Sequence, residues 1–247
     1  MPHAPEVFGA IPARYGSTRL PGKPLARIAG KPMIQHVYER TAQAEGLARV
    51  VVLTDDERIV SAVRGFGGEA EMTPETCTSG TDRIAWAARS WRASAVVNIQ
   101  GDEPMIDPDA VSQIAAHLAA HPEDPIVTVA VAAEAHEFDD PNAVKVVLDR
   151  FFRALYFSRS RIPHPRGEGS WTMLKHLGIY GYQRAALLEL AALDPTPLER
   201  TESLEQLRAL ENGIPIRVLR AARTSIGVDT AEDLARVERF LAAPRGD

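Results

Sequence analysis

The sequence predicts an α/β fold built on one mostly parallel sheet, and three observations predict it. Residues 49–54 (R-V-V-V-L-T) and 95–100 (A-V-V-N-I-Q) are continuous apolar runs of strand length, the pattern of strands covered on both faces. Strand-like runs alternate with helix-period segments three times over the first hundred or so residues, which calls for parallel strands joined by right-handed crossovers. A chain of 247 residues with 45% hydrophobic content can bury one full core, and two unrelated domains are not expected, so 1–247 reads as a single unit.

The first strand, residues 6–12, runs into the loop I-P-A-R-Y-G-S-T-R-L-P-G-K-P-L at 11–25. In an open α/β sheet, ligands bind beyond the carboxyl ends of the strands. Bare backbone N–H groups around Gly16, Ser17 and Gly22, with the cations Arg14, Arg19 and Lys23, suit a polyphosphate there. Neither G-x-x-x-x-G-K-[ST] nor G-x-G-x-x-G is present, so a solvated basic loop stands as the competing reading. Met33, Ile34, Val37, Tyr38 and Thr41 keep helical spacing. After strand 49–54, Asp55 and Asp56 cap a helix that turns Ile59, Val60 and Val63 inward and stops at Gly65, Gly67 and Gly68.

A short strand at 69–72 leads to a Thr/Ser/Pro/Gly loop at 73–80 and to the helix T-D-R-I-A-W-A-A-R-S-W. Its first turn offers unpaired N–H groups and a positive dipole end, so Ser79, Gly80 and Thr81 suit a base or a phosphate, and plain N-capping is the alternative. Strand 95–100 ends in G-D-E-P. Asp102 and Glu103 thus face the cationic loop from a neighbouring strand end, the setting in which Mg²⁺ is held by one or two carboxylates plus phosphates. A structural turn before Pro104 is the alternative role for Asp102, and its position at the sheet's mouth favours the metal one.

From Asp107 a helix carries Val111, Ile114, Ala115 and Leu118 to Pro122, and a strand follows at 126–132. Beyond Pro141 the strand-like runs 144–148, 154–157 and 175–182 are separated by turns, which predicts a small antiparallel or mixed addition to the sheet. Residues 163–171 read as an exposed Pro/Gly/Arg loop. A helix at 183–193, a second over 199–212 closed by Gly213, a strand at 216–219, and a terminal helix after G-V-D-T with Leu234, Val237, Phe240 and Leu241 complete the chain.

The formal net charge of −5 argues against a general nucleic-acid binder and makes the cationic loop a local exception. Cys77 is the only cysteine, so no intrachain disulfide forms. No segment has the apolar length of a membrane span, and the N-terminus lacks the layout of a signal peptide, so a cytoplasmic enzyme is expected.

Eight segments agree with one family: I-P-A-R-Y-G-S-T-R-L-P-G-K-P-L, S-G-T-D-R, N-I-Q-G-D-E-P, P-N-A-V-K-V-V-L-D, A-L-Y-F-S-R-S-R-I-P, K-H-L-G-I-Y-G-Y, L-E-Q-L-R-A-L-E-N-G and G-V-D-T-A-E-D-L. Together, in this order and over nearly the whole chain, they closely resemble the 3-deoxy-manno-octulosonate (Kdo) cytidylyltransferases. The resemblance implies a single nucleotidyltransferase (Rossmann-like) α/β domain, dimeric through its inserted strands. It would couple CTP and Kdo to give CMP-Kdo and pyrophosphate with Mg²⁺, for lipopolysaccharide synthesis. Carried over by motif, CTP would be bound by Arg14, Ser17, Lys23, Ser79, Gly80, Thr81 and Arg83. Kdo would be bound by Gln100, Arg159, His176, Tyr180, Glu205 and Gln206, and the metal by Asp102 and Asp229.

Those side chains match the chemistry: a guanidinium forks onto a carboxylate, and amide, phenol, imidazole and carboxylate groups serve a polyol. The resemblance further implies in-line attack of the sugar's anomeric hydroxyl on the α-phosphorus. Lys23, Asp102, Asp229 and Arg14 would supply positioning and charge neutralisation, without an evident general base. Two departures stand out: Asp82 where many relatives carry Glu, and F-F-R before A-L-Y-F where a glycine-containing turn is expected. The alternatives are a cytidylyltransferase for another acidic sugar, such as 8-amino-Kdo or a sialic acid, and a catalytically silent nucleotide-binding regulator.

Overall fold

The computed structural model describes residues 5–16, 20–167 and 171–242. From β1 (Val7–Pro12) the chain enters a 3-10 turn (Lys23–Leu25), a short ribbon of β2 (Arg27–Ile28) and β3 (Lys31–Pro32), and α1 (Met33–Thr41). Then come β4 (Arg49–Thr54), α2 (Glu57–Gly65), β5 (Ala70–Met72), α3 (Gly80–Ala88), β6 (Ala95–Asn98), α4 (Pro108–Ala120) and β7 (Ile126–Ala132). The hairpin β8 (Lys145–Leu148) and β9 (Ala154–Ser158) precedes β10 (Leu174–Gln183), α5 (Arg184–Ala192), α6 (Pro197–Glu202) and α7 (Gln206–Glu211). The last elements are β11 (Ile216–Arg220) and α8 (Ala231–Ala242).

The main sheet runs in the order β11-β7-β10-β6-β1-β4-β5. β1 pairs parallel with β4 and β6, β4 with β5, and β11 with β7, as the alternating pattern requires. The run at 175–182 differs from expectation in place: β10 lies in the middle of the sheet, antiparallel to both β6 and β7. Its residues are buried along most of its length, which a peripheral strand does not need. Only the β8–β9 hairpin is an outlying addition, attached through β8 to β10. The register of β10 against β7 shifts between Leu177 and Tyr180, and Thr128 Oγ1 donates to the freed Ile179 carbonyl at 2.7 Å.

Two apolar layers cover the sheet, one including Ile84, Leu187 and Leu207 from α3, α5 and α7, the other Ile34, Ile59 and Ile114 from α1, α2 and α4. A third, smaller cluster of Ile28, Met33, Val228 and Val237 pins α8 to the segment after the first loop. The helix expected over 199–212 is instead two helices, because Ser203 takes a left-handed conformation (φ 52). The break frees the carbonyls of Glu202 and Ser203, and Arg159 takes both. At the F-F-R turn, Phe152 has φ 61, so the backbone adopts the glycine-favouring conformation without a glycine.

Candidate active site

The first loop and two distant aspartates meet at the carboxyl ends of β1 and β6. Gly101 makes the approach close: a Cβ there would lie 2.7 Å from the Pro12 carbonyl oxygen. Asp102 follows, and its carbonyl accepts from the Val228 N–H at 2.8 Å, which brings Asp229 alongside. Lys23 Nζ then donates to Asp102 Oδ2 at 2.7 Å, to Asp229 Oδ1 at 3.1 Å and to the Val228 carbonyl at 2.9 Å. Two carboxylates thus converge on one ammonium, although they lie 127 positions apart in sequence with five strands between them. Arg14, exposed at the same mouth, makes no ion pair among the described residues.

A cavity of about 340 Å³ opens here, lined among others by Arg14, Lys23, Ser79, Gly80, Arg83 and Asp102. Its walls already use several groups named from the sequence. Ser79 caps α3 in a reciprocal box with Asp82: Ser79 Oγ accepts from the Asp82 N–H, and Asp82 Oδ2 accepts from the Ser79 N–H, both at 3.0 Å. Arg83 is buried and donates to Asp55 Oδ2 at 2.6 Å and to the Thr73 hydroxyl. Thr81 turns away, its hydroxyl donating to Glu205 Oε2 at 2.5 Å. Ser17 and Arg19 lie outside the described residues.

A second cavity of about 760 Å³ adjoins the first, and Gln100 and Asp229 line both. Arg159, His176, Tyr180 and Gln206 line it as well. Glu205 does not; its carboxylate serves Thr81 and lies 3.7 Å from Arg208. The Arg159 guanidinium donates to the carbonyls of Glu202 at 2.7 Å, Pro141 at 2.9 Å and Ser203 at 3.3 Å. Gln100 Nε2 donates to the Gly178 carbonyl at 3.1 Å.

Residues 9–219 match the family model described as "Cytidylyltransferase". The chain belongs to the cytidylyltransferase family. It is 51% identical over 245 residues to a 3-deoxy-manno-octulosonate cytidylyltransferase of Syntrophotalea carbinolica, covering 95% of this chain and 98% of the relative. It is 50% identical over 237 residues to an 8-amino-3,8-dideoxy-manno-octulosonate cytidylyltransferase of Shewanella sp. strain ANA-3, at 94% and 97% coverage. Among solved structures it resembles CMP:2-keto-3-deoxy-manno-octonic acid synthetase complexed with CTP, with TM-score 0.93 and 47% identity over 96% of this chain and 98% of that one. A Bacillus anthracis glucose-1-phosphate thymidylyltransferase at 15% identity, 98% coverage of each chain and TM-score 0.68 shares the fold alone.

In this cytidylyltransferase Glu103, expected with Asp102 opposite the cationic loop, instead lines the second cavity, where it is joined by Ser225, Lys175 and Glu137, which the sequence did not single out. Glu103, beside Asp102, accepts from the Ser225 hydroxyl at 2.8 Å. Burial pushes its carboxyl up to about 7, against the lowering effect of Ser225 and with the Asp102 charge adding to the rise. G-D-E-P marked the position of Glu103 but not its side-chain direction, and nothing in the sequence marked Ser225. Lys175 and Glu137 form an ion pair on the same lining.

His176, 9% exposed, is pushed by burial from 6.5 down to about 3. Its Nε2 lies 2.9 Å from Thr128 Oγ1, whose single proton goes to the Ile179 carbonyl. The imidazole is therefore neutral, with Nε2–H donating to Thr128 and Nδ1 left as an acceptor. Burial likewise raises the Tyr180 phenol well above its ordinary value, so it stays a hydroxyl donor.

Proposed function

We infer that this protein transfers CMP from CTP to the anomeric hydroxyl of 3-deoxy-D-manno-octulosonate, releasing pyrophosphate and supplying CMP-Kdo to lipopolysaccharide synthesis. The observation that carries the reading is the pair of adjoining cavities sharing Gln100 and Asp229, in a chain that matches relatives of this activity end to end. A nucleotide in the smaller cavity and a sugar acid in the larger one meet at those two residues. The anomeric oxygen attacks the α-phosphorus, the bond to the β-phosphate oxygen breaks, and the hydroxyl proton leaves to solvent or to a nearby oxygen. Both reactants are anions, so the protein's main tasks are to hold them together and to neutralise charge.

Arg14 has its guanidinium uncommitted to any ion pair among the described residues and is assigned to the triphosphate, with Lys23 beside it. Ser79 and Gly80 line the same cavity at the start of α3, where N–H groups meet an anion. Ser17, Thr81 and Arg83 complete the proposed nucleotide set, Arg83 from the cavity lining and Thr81 from behind it. Gln100, Arg159, His176, Tyr180 and Gln206 are assigned to the sugar acid, and Glu205 supports it through Thr81.

Asp102 and Asp229 are the residues that would hold Mg²⁺. Their carboxylates already converge on one cation, and no group of three or more His, Cys, Asp or Glu among the described residues offers another metal site. Two carboxylates leave places for phosphate oxygens and water, the usual surroundings of Mg²⁺. A bound Mg²⁺ supplies charge neutralisation at the phosphates and a lowered pKa for a nearby hydroxyl. We assign the whole chain, 1–247, to one catalytic unit. Exposed Phe151, Phe152 and Leu155 on the β8–β9 hairpin are assigned to pairing with a second copy. No helix among the described residues is long and apolar enough to cross a membrane, and a cytoplasmic location fits a chain with CTP as substrate.

The test is pyrophosphate release from CTP and Mg²⁺ with Kdo, 8-amino-Kdo and a sialic acid supplied in turn. The highest kcat/KM with Kdo is expected. A clear preference for another acid would move the substrate assignment, and no release with any of them would remove the enzymatic reading.

A further inference from the structure

Lys145 is an oddity beside the second cavity, whose lining includes its chain neighbour Val144 but not Lys145 itself. It lies on β8, wholly buried, opposite Ser158 of β9 and Lys175 of β10. Lys23, Lys31 and Lys175 each pair with a carboxylate, whereas Lys145 forms no ion pair among the described residues. Its Nζ donates to two neutral acceptors, the Asp140 carbonyl at 2.8 Å and the Arg159 carbonyl at 2.5 Å. Both acceptor residues line the cavity.

Arg159 repeats the pattern, since its guanidinium also spends its donors on backbone carbonyls. The Glu202 carboxylate nearby is engaged by the Ser158 hydroxyl at 2.6 Å and the Arg159 N–H at 2.9 Å. Burial lowers the Lys145 pKa from its ordinary value and Arg159 adds to that, while Asp140, Asp139 and Glu202 favour the charged ammonium. A buried ammonium without a paired anion is costly to keep, so its retention calls for a reason beyond holding two loops together.

We propose that Lys145 is a positioning residue for the acid group of the sugar: it fixes the backbone of Arg159 and leaves under the cavity a positive charge that the substrate carboxylate balances. The assignment rests on the reading of the substrate as an acidic sugar. It separates the protein's two anion sites by design. The triphosphate meets the exposed cation Arg14 at the sheet mouth, and the sugar carboxylate is balanced by a buried one behind the cavity lining.

The experiment compares Kdo with its carboxamide, which keeps shape and hydrogen bonding but loses the charge, as competitive ligands of the full-length protein. Wild type should prefer the acid at least about tenfold. Lys145→Gln keeps a donor to the two carbonyls and removes the charge. It should lower that preference about tenfold and raise the KM for Kdo similarly, with the KM for CTP within about twofold of wild type. Lys145→Met should do the same to the preference ratio.

Equal weakening of acid and amide in these variants would mark a merely structural lysine and overturn the proposal. Equal binding of acid and amide by wild type would overturn it too, and that measurement stands even if neither variant folds. Failure of the substrate reading registers separately, as absent pyrophosphate release by wild type with Kdo. The acidic sugar that is turned over then enters the same comparison with its own carboxamide.

Discussion

Acid should destabilise this protein through one imidazole, and the size of the effect follows from where His176 sits. Burial holds its pKa near 3 in the folded chain against an ordinary 6.5. As pH falls below 6.5 the unfolded chain takes up a proton at this residue and the folded chain does not, so stability declines. The slope is about 1.4 kcal/mol per pH unit, continuing until the folded imidazole itself titrates near 3. Above pH 6.5 the effect is absent. By pH 5 the cost is about 2 kcal/mol, a large part of the roughly 5–15 kcal/mol that domains possess.

Urea midpoints of wild type and His176→Asn at pH 7.5, 6.5, 5.5 and 5.0 isolate this contribution, because the two chains differ at this residue alone. The variant starts lower at pH 7.5, having lost the Thr128 hydrogen bond, and its curve is flatter by about 2 kcal/mol between pH 7.5 and pH 5. Parallel curves would refute the burial argument. A wild type that gains on the variant as pH falls would mean that the imidazole is protonated in the folded chain.

Asp102→Asn and Asp229→Asn should each lower kcat at saturating CTP by about 10²–10³, the range for losing one preorganised electrostatic group, with thermal midpoints within a few degrees of wild type. Near-normal turnover in both would remove the metal assignment. Gly101→Ala should push the β6 end away from Pro12, costing about 1–3 kcal/mol in urea titrations and lowering kcat through displacement of Asp102. Arg208→Met should cost about 3–5 kcal/mol. It strands Glu199, now held by two bonds at 2.8 and 2.5 Å between side chains 9% and 12% exposed, and a thermal midpoint unchanged from wild type would contradict this.

Much of the fold was legible because its signals are local. Runs such as R-V-V-V-L-T need cover on both faces and so mark strands inside a covered sheet, and Asp56 caps α2 as its position suggested, accepting from the Arg58 N–H at 2.9 Å. What was not legible depends on distant partners. β10 reads as one more strand by composition, and only its pairing with β6 and β7 makes it central. The break at Ser203 carries no glycine or proline to announce it. Asp82, which stands where many relatives carry Glu, closes the reciprocal cap with Ser79. The missing glycine at F-F-R left its trace as the positive φ of Phe152.

The two ends of the candidate site differ in the same way. At the phosphate end, glycines and cations crowd into fifteen consecutive residues, so a pattern could point there, and only the Lys23 bridge to Asp102 and Asp229 needed the fold. At the sugar end, side chains arrive from the segment after β6, the residue after β9, β10, the α6–α7 break and the segment before α8, and of the six residues matched to the sugar acid only Glu205 and Gln206 are adjacent in sequence. Those two neighbours part company in space: Gln206 lines the cavity, and Glu205 reaches back to Thr81 at the start of α3. That bond joins the wall of the nucleotide cavity to the wall of the sugar cavity through one carboxylate. Loss of the Thr81 hydroxyl would leave Glu205 with Arg208 as its remaining charged neighbour, at 3.7 Å. The sugar wall is therefore held in part from the nucleotide side. A side chain that touches neither cavity in the free protein can still govern how the two substrates are presented to each other.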